Sequence, residues 1–200
     1  MKKFVLISPK NRSAYNFRGD LINDIQEKGY EVVVTGPNQE GVDKIQALGA
    51  RFIEVPIDKN GLNPFADIAY CFKLCKILKK EKADATMGYT IKPVIYGSIA
   101  AWMAGVKNRT AMVTGAGYLF ASKTWKARII KMLSFVLYRI GLSSAQKVIF
   151  QNIDDLNEFV DNRLVRKGKC YVVNGSGVNM KKYTPSDYPN VPSFFFLGRL

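Results

Sequence analysis

Apolar runs of strand length alternate with segments whose apolar residues recur at helical spacing. The runs are continuous rather than alternating with polar residues, which is typical of strands buried on both faces of a parallel sheet. Strands are predicted at 3–8, 31–35, 51–55, 83–87, 147–150 and 170–173, with one more short run before residue 114. Helices are predicted at 16–28, 42–48, 64–82, 123–142 and 153–160, with another between the strands of the central unit. This order predicts an α/β fold with a doubly wound, mostly parallel sheet of about seven strands and helices on both faces.

The stretch 83–120 is the central unit of the predicted sheet and has the order strand, loop, helix, strand, loop. The first loop covers residues 88–92 and the second covers the glycine-rich turn at 115–118. Both loops follow the carboxyl ends of parallel strands, which meet at one edge of the sheet. We therefore expect the two loops to face one crevice, and we place the candidate site there.

Composition favours a globular cytoplasmic protein. The chain has 200 residues, 48% of them apolar, and the apolar run at 4–7 is too short for the core of a secretory leader. No apolar run approaches the ~18 residues of a spanning helix. The three cysteines Cys71, Cys75 and Cys170 occur without any histidine, so neither a zinc site nor a Cys–His nucleophile is expected.

The formal net charge is +14, and the positive charge is concentrated in the middle of the chain. Between Asp84 and Asp154 there is no carboxylate. The same interval holds the cations Lys92, Lys107, Arg109, Lys123, Lys126, Arg128, Lys131, Arg139 and Lys147. Such a concentration of positive charge favours binding of a nucleic acid, an anionic bilayer or a phosphorylated ligand. A solvated basic surface without a partner is the alternative.

The predicted helix at 123–142 combines a broad apolar face with a cationic first half. Cations near a helix N-terminus are disfavoured by the helix dipole, so an anionic partner is expected there. The residues predicted to lie on an anionic membrane surface are Lys123, Trp125, Lys126, Arg128 and Lys131. The alternative is that the apolar face only packs on the sheet.

The composition of the chain changes near residue 180. The polar stretch at 181–193 contains three prolines, which indicates an interdomain linker. Residues 194–200 form a further apolar run. We expect residues 1–180 to form one Rossmann-like domain and residues 194–200 to begin a second domain, so that the chain is a fragment.

Several short motifs carry a family resemblance through their order and spacing. They are Asn16-Phe17-Arg18, Lys92-Pro93-Val94-Ile95-Tyr96-Gly97, Ala100-Ala101, Ala104-Gly105-Val106, Thr114-Gly115-Ala116-Gly117-Tyr118, Ile149-Phe150-Gln151-Asn152, Asp154-Asp155, Gly175-Ser176-Gly177-Val178-Asn179 and Phe196-Leu197-Gly198-Arg199-Leu200. Together they make the chain resemble the N-terminal half of GT-B glycosyltransferases of family 4. The resemblance is strongest to enzymes that build bacterial surface polysaccharides on undecaprenyl diphosphate.

The resemblance implies a retaining transfer of a sugar from a nucleotide-sugar to a polyprenyl-diphosphate-linked saccharide. The residues implied for acceptor binding are Asn16, Arg18, Tyr89, Thr90, Lys92, Gly115, Gly117 and Tyr118. Arg199 corresponds to the family's arginine on the donor diphosphate. The implied partners are the inner membrane surface and the chain's own missing C-terminal domain, without which we expect no activity. No metal or cofactor is expected, because cations and backbone N–H groups can stabilise a departing diphosphate.

The chain departs from this family pattern at one place. Many relatives carry a histidine at or after the fourth strand, where this chain has Met87-Gly88-Tyr89-Thr90. No catalytic residue is therefore assigned. Asp154 and Asp155 are interpreted as first-turn acids of a helix rather than as catalytic carboxylates.

Two other functional classes are less well supported by the sequence. A nicotinamide-dependent dehydrogenase would need G-x-G-x-x-G after the first strand, where the chain has Ser8-Pro9-Lys10-Asn11-Arg12-Ser13. A basic α/β module that binds nucleic acid or another anion without catalysis would explain the charge. No recognition motif for nucleic acid is present, and we expect no nucleic-acid partner.

Overall fold

The computed structural model describes residues 1–58, 61, 63–115, 125–180 and 184–196, with residues 125–130 described by their backbone alone. Within these residues, seven parallel strands form one sheet in the order β3-β2-β1-β4-β5-β6-β7. The strands are β1 Lys2–Ile7, β2 Tyr30–Gly36, β3 Arg51–Glu54, β4 Ala85–Tyr89, β5 Asn108–Val113, β6 Lys147–Phe150 and β7 Cys170–Val172. The predicted doubly wound α/β fold is confirmed.

Helices connect the strands. They are α1 Asn11–Glu27, α2 Val42–Gln46, α3 Pro64–Glu81, α4 Ser98–Met103, α5 Trp125–Ser144 and α6 Ile153–Asp161. A π-helical turn, Pro93–Gly97, leads directly into α4, and a short 3-10 helix, Lys167–Lys169, precedes β7. Such π-helical turns are often found at functional sites, and this one follows the carboxyl end of β4.

Several predicted boundaries differ from the structure by one or more residues, and tertiary contacts explain two of the differences. Helix α1 begins at Asn11 rather than at residue 16, because its first turn is covered by the core, with Asn11 3% and Ala14 0% exposed. Strand β4 spans Ala85–Tyr89 rather than 83–87. Its last residues are held by pairing, Gly88 with Ile7 of β1 and Tyr89 with Met112 of β5. A glycine in the sequence suggests a break there, and the neighbouring strands override it.

Apolar side chains fill both faces of the sheet. Successive residues of β1 alternate between these layers, as the two-residue period of a strand requires. Val5 and Ile7 pack in a cluster with α3 and α4, whereas Leu6 packs in a cluster with α1 and α2. A third cluster joins α5 and α6 to β5 and β6. The continuous apolar runs in the sequence reflect this double coverage.

The described residues beyond β7, 173–180 and 184–196, are exposed. Residues 184–196 contain no helix or strand, and Phe194, Phe195 and Phe196 are between 88% and 100% exposed. The predicted linker at 181–193 and the predicted second domain at 194–200 stay predictions.

Helix α5 packs so closely on the π-helical turn that only a glycine fits at position 141. A Cβ atom on Gly141 would lie 2.6 Å from Ile95 Cα and 2.9 Å from Ile95 O. Backbone atoms cannot move aside as a flexible side chain would. The position of α5 over the loop that follows β4 therefore depends on this missing side chain.

We predict that Gly141→Ala lowers the free energy of unfolding by about 1–2 kcal/mol, because an overpacking cost of about 1–3 kcal/mol exceeds the helix propensity gained by alanine. Urea unfolding would measure the change. Gly168→Ala is the matched control, since nothing lies within 4 Å of a Cβ at position 168. A Gly141→Ala protein as stable as the control would show that α5 has room to move.

Candidate functional site

The candidate site lies at the carboxyl edge of the sheet. All six strand pairs are parallel, so the loops that follow the strands leave from this one edge. The strand order reverses between β1 and β4, because β1 is followed by β2 on one side and lies beside β4 on the other. In open α/β sheets ligands bind outside the strand ends at such a switch point.

Tyr89 ends β4 at this switch point and is 2% exposed. Its hydroxyl lies 2.5 Å from Ser8 Oγ, which follows β1, and 2.9 Å from Ser13 Oγ of α1. Both serine hydroxyls also lie within hydrogen-bond distance of the Lys10 carbonyl oxygen, at 2.9 and 2.7 Å. Burial raises the pKa of the Tyr89 phenol, and the two serine contacts oppose that shift only in part. Ser8 and Ser13 were missed by the sequence analysis, in which Tyr89 was a loop residue.

Arg18 lies against the Tyr89 ring, with Cζ 5.2 Å from the ring centroid. The side chain is buried, at 6% exposed, and Nη1 donates to Phe17 O at 3.0 Å and to Ser176 Oγ at 2.9 Å. Its Nε has no hydrogen-bond partner among the described residues. Burial lowers the pKa of Arg18, while Tyr89 acts in the opposite direction. No carboxylate of the described residues lies within 4.0 Å of the guanidinium.

Lys92, the second predicted cation, has a different environment. It is 9% exposed, and its Nζ lies 2.5 Å from Asp67 Oδ1 in the first turn of α3. Asp67 is itself buried, at 8% exposed. The charge of Lys92 is therefore already compensated by a carboxylate of the protein. Of the two cations predicted to face the crevice, only Arg18 is buried without an acidic partner in the described structure.

The two predicted loops begin at neighbouring strand ends. Thr90 follows β4 with a φ of 66°, a left-handed conformation that is uncommon for a threonine. Gly115 lies two residues after β5, is exposed, and has a φ of 126° that favours glycine. The remainder of the second loop, including Gly117 and Tyr118, lies outside the described residues.

The other predicted site residues that the structure describes lie on two helices, α1 and α5. Asn16 is exposed on α1. Trp125, Lys126 and Arg128 belong to α5, where the structure describes only their backbone, and Lys131 on the same helix is half-buried. Lys123 and Arg199 lie outside the described residues.

Loops that follow the last two strands also reach Arg18. Gln151, after β6, donates from Nε2 to Ser176 Oγ at 3.1 Å, so this one hydroxyl oxygen accepts from both Gln151 and Arg18. Asn179 donates from Nδ2 to the Asp20 carboxylate at 3.1 and 3.3 Å, which fixes the same loop to α1. Gln151 and Ser176 occur in the family motifs quoted above, but the sequence analysis did not assign them to the site. The two glycines that flank Ser176 were the signal that could have identified this turn.

The two aspartates after β6 lie in the first turn of α6, as predicted. Asn152 is the N-cap of α6, and its Oδ1 accepts from Asp155 N at 2.7 Å. Asn152 Nδ2 in turn donates to Asp155 Oδ2 at 2.9 Å. The first of these bonds satisfies one backbone N–H group in the first turn of α6, and the second holds the Asn152 side chain in place.

A cleft of about 310 Å³ opens at the ends of β1, β2 and β3, lined by residues from the segments 9–15, 37–40 and 57–58. The Asn11 amide closes one side of it by donating to Asn38 O at 2.7 Å and Glu40 O at 2.8 Å. Lys10 and Arg12 also line the cleft. In the part of the chain that the structure describes, no three His, Cys, Asp or Glu side chains form a potential metal-binding group.

Comparison with solved structures shows the same fold in other proteins. A glycosyltransferase from Rickettsia africae superposes with a TM-score of 0.65 at 16% identity, over 94% of this chain and 46% of that one. Anabaena HepE, solved in complex with UDP and glucose, superposes with a TM-score of 0.64 at 12% identity, over 93% of this chain and 47% of that one.

Sequence comparison gives the family. A curated relative from Campylobacter jejuni, N,N'-diacetylbacillosaminyl-diphospho-undecaprenol alpha-1,3-N-acetylgalactosaminyltransferase, is 30% identical over 179 residues. The match covers 90% of this chain and 47% of that enzyme, so the chain spans about half the length of this relative. A family model described as glycosyl transferase 4-like matches residues 5–152. The chain therefore belongs to the glycosyl transferase 4-like family.

Proposed function

We propose that this chain is the acceptor-binding half of a retaining GT-B glycosyltransferase. The whole enzyme would transfer a sugar from a nucleotide-sugar to a polyprenyl-diphosphate-linked saccharide during bacterial surface polysaccharide synthesis, at the inner face of the plasma membrane. The observation that carries the proposal is Arg18, a buried cation without an acidic partner among the described residues, at the carboxyl edge of the sheet.

Burying a charge without a counter-ion costs several kcal/mol, so such a group is retained where a ligand supplies the opposite charge. Arginine presents its N–H donors in a planar fork that matches phosphate oxygens. The Tyr89 ring holds one face of the guanidinium, and two serine hydroxyls hold the Tyr89 phenol. The Arg18 side chain is thus positioned before a ligand arrives, which favours recognition of a diphosphate.

The relatives support the identity of both substrates. The Campylobacter relative is named for an undecaprenol-diphosphate-linked acceptor, and Anabaena HepE was solved with UDP. We assign the acceptor diphosphate to Arg18, with Asn16, Tyr89, Thr90, Lys92, Gly115, Gly117 and Tyr118 around it. The donor diphosphate would be bound mainly by the second half, beginning with Arg199. Without that half we expect this chain to be inactive. Neither a metal nor another cofactor is part of the proposal.

The exposed apolar surface supports binding to a membrane. Helix α5 buries Tyr138 and Leu142 in the core, at 1% and 0% exposed. A second apolar stripe of the same helix faces outward, with Met132 66%, Leu133 59%, Val136 51% and Ile140 49% exposed. Packing on the sheet therefore accounts for only one of the two apolar faces of α5.

Helix α3 carries a similar exposed stripe, with Phe65 81%, Ile68 51% and Phe72 53% exposed. Helix α4 packs against both α3 and α5, so the two helices that carry these stripes flank α4. Among the described residues, no helix combines the length and the apolar character that crossing a bilayer requires. We propose that α5, with Trp125, Lys126, Arg128 and Lys131, lies on an anionic membrane surface, and that Lys123, which precedes it in the sequence, contributes its charge to the same contact.

The acceptor assignment predicts that Arg18→Gln weakens binding of farnesyl-diphospho-N-acetylglucosamine by about tenfold or more, since a hydrogen bond to a charged group contributes roughly 1.5–3 kcal/mol. Isothermal titration calorimetry on the 200-residue chain would measure it. Arg166→Gln removes the same charge from an exposed position and should leave binding unchanged. Equal binding by both variants would contradict the proposal, and salt-sensitive DNA binding unaffected by Arg18→Gln would favour the nucleic-acid alternative.

Replacing Lys92 and replacing Arg18 should have different effects on the free energy of unfolding. Lys92→Met leaves the buried Asp67 carboxylate without its ion pair and should lower the free energy of unfolding by about 3 kcal/mol. Arg18→Met removes the cost of burying a cation that no described carboxylate compensates, so it should not lower the free energy of unfolding by more than about 1 kcal/mol and can raise it. Urea unfolding at pH 7 would compare them. A large loss for Arg18→Met would show that Arg18 serves the fold rather than a ligand.

The membrane proposal predicts that replacing Lys123, Lys126 and Lys131 by Gln weakens co-sedimentation with phosphatidylglycerol liposomes by about tenfold or more, because each cation near an anionic surface contributes roughly 1 kcal/mol. Replacing the exposed Lys28, Lys107 and Lys167 by Gln removes the same charge elsewhere and is the control. Replacing both Leu133 and Val136 by Ser tests the apolar contribution. Co-sedimentation unchanged in all three variants would refute a role for α5 at the membrane.

A further inference from the structure

We propose that Ser176 is a further anion-binding residue of the Arg18 site, whose hydroxyl donates a hydrogen bond to the same phosphate group that Arg18 binds. Gln151 acts as the positioning residue that orients this hydroxyl. The inference rests on the proposed function, because it assigns a second protein group to the proposed acceptor diphosphate.

The hydrogen bonds of Ser176 leave its proton available. A serine hydroxyl can accept two hydrogen bonds and donate one. Ser176 Oγ accepts from Arg18 Nη1 at 2.9 Å and from Gln151 Nε2 at 3.1 Å, so both acceptor positions are filled. The described residues provide no acceptor for its O–H group, which therefore points away from both donors. A charged donor on the oxygen also polarises the hydroxyl and makes it a stronger donor itself.

Ser176 is exposed in the described structure, so a ligand can reach its side chain. Gly175 and Gly177 have φ values of 71° and 70°, and a Cβ atom on either glycine would meet no described atom within 4 Å. These glycines are thus required by backbone conformation rather than by crowding. The turn is nevertheless anchored, because Gly175 N donates to Val173 O at 2.9 Å and Asn179 is bound to Asp20 of α1.

The two donors together suit one chemical class of ligand. Arg18 supplies the positive charge and Ser176 supplies a neutral O–H donor beside it, a combination that matches the oxygens of a phosphate group. A neutral sugar hydroxyl would not compensate the buried charge of Arg18. A carboxylate would compensate it, but the proposed acceptor carries a diphosphate, and we commit to that group.

Gln151 positions the Ser176 hydroxyl and does not itself bind the phosphate. Its Nε2 fills the second acceptor position of Ser176 Oγ and so restricts rotation of the hydroxyl. Gln151→Leu should leave the Ser176 hydroxyl present but freer to rotate. We expect a smaller loss of affinity from Gln151→Leu than from Ser176→Ala, because the donor itself remains.

The test is titration of the 200-residue chain with inorganic pyrophosphate by calorimetry at constant pH and ionic strength. Ser176→Ala should weaken binding about tenfold, as expected for one hydrogen bond to a charged group. Ser176→Thr keeps the hydroxyl and should bind within about twofold of the unmodified chain. Ser143→Ala is the control, because that exposed serine donates only to Ile140 O, at 2.7 Å, among the described residues.

Two readouts separate this inference from the proposed function. If Arg18→Gln abolishes pyrophosphate binding and Ser176→Ala does not change it, the inference is overturned and the proposed function stands. If the unmodified chain binds no pyrophosphate, the proposed function itself fails. Equal losses for Ser176→Ala and Ser176→Thr would show a structural role and would also overturn the inference. The Arg18 Nε–H resonance in a 15N spectrum should shift on binding in the unmodified chain.

The source of the diphosphate is distinguished by two further titrations. Geranyl diphosphate represents the lipid-linked acceptor, and UDP represents the donor. Ser176→Ala should weaken binding of geranyl diphosphate about as much as that of pyrophosphate and should not change the affinity for UDP. A loss confined to UDP would overturn the assignment of Ser176 to the acceptor.

Discussion

Parallel pairing between β1 and β4 is the constraint on which the site depends. It brings Ser8, at the end of one strand, beside Tyr89, at the end of the other, although the two residues are 81 positions apart in the chain. The Tyr89 ring then supports Arg18 of the helix that follows β1. A change of register by one residue would turn Tyr89 to the other face of the sheet and remove that support.

Two buried cations near this edge differ in the partner that the fold supplies. Lys92 forms an ion pair with Asp67 and joins the segment after β4 to α3. Arg18 has hydrogen bonds to Phe17 O and Ser176 Oγ but no carboxylate partner within the described structure. Both side chains are less than a tenth exposed, so the two cations have the same burial and different charge compensation.

The sequence predicted the order of strands and helices well, because a sheet covered on both faces requires continuous apolar runs. It predicted the edge where the candidate loops leave the sheet, since that follows from parallel strands. It could not predict that Lys92 is paired, because Asp67 lies 25 residues away and meets it only through tertiary packing. Ser176 is 158 residues from Arg18, and no local pattern links them. The early end predicted for β4 came from reading Gly88 as a break, which pairing with β1 overrides.

The contacts around Tyr89 have a consequence for its proton. The hydroxyls of Ser8 and Ser13 each contact both the Tyr89 hydroxyl and the Lys10 carbonyl, which gives four contacts for the three protons that these hydroxyls carry. One contact is therefore always without a hydrogen, and the protons can be distributed in more than one way. The hydrogen bonds around the buried Tyr89 hydroxyl, beside the ring that Arg18 contacts, therefore have more than one proton arrangement.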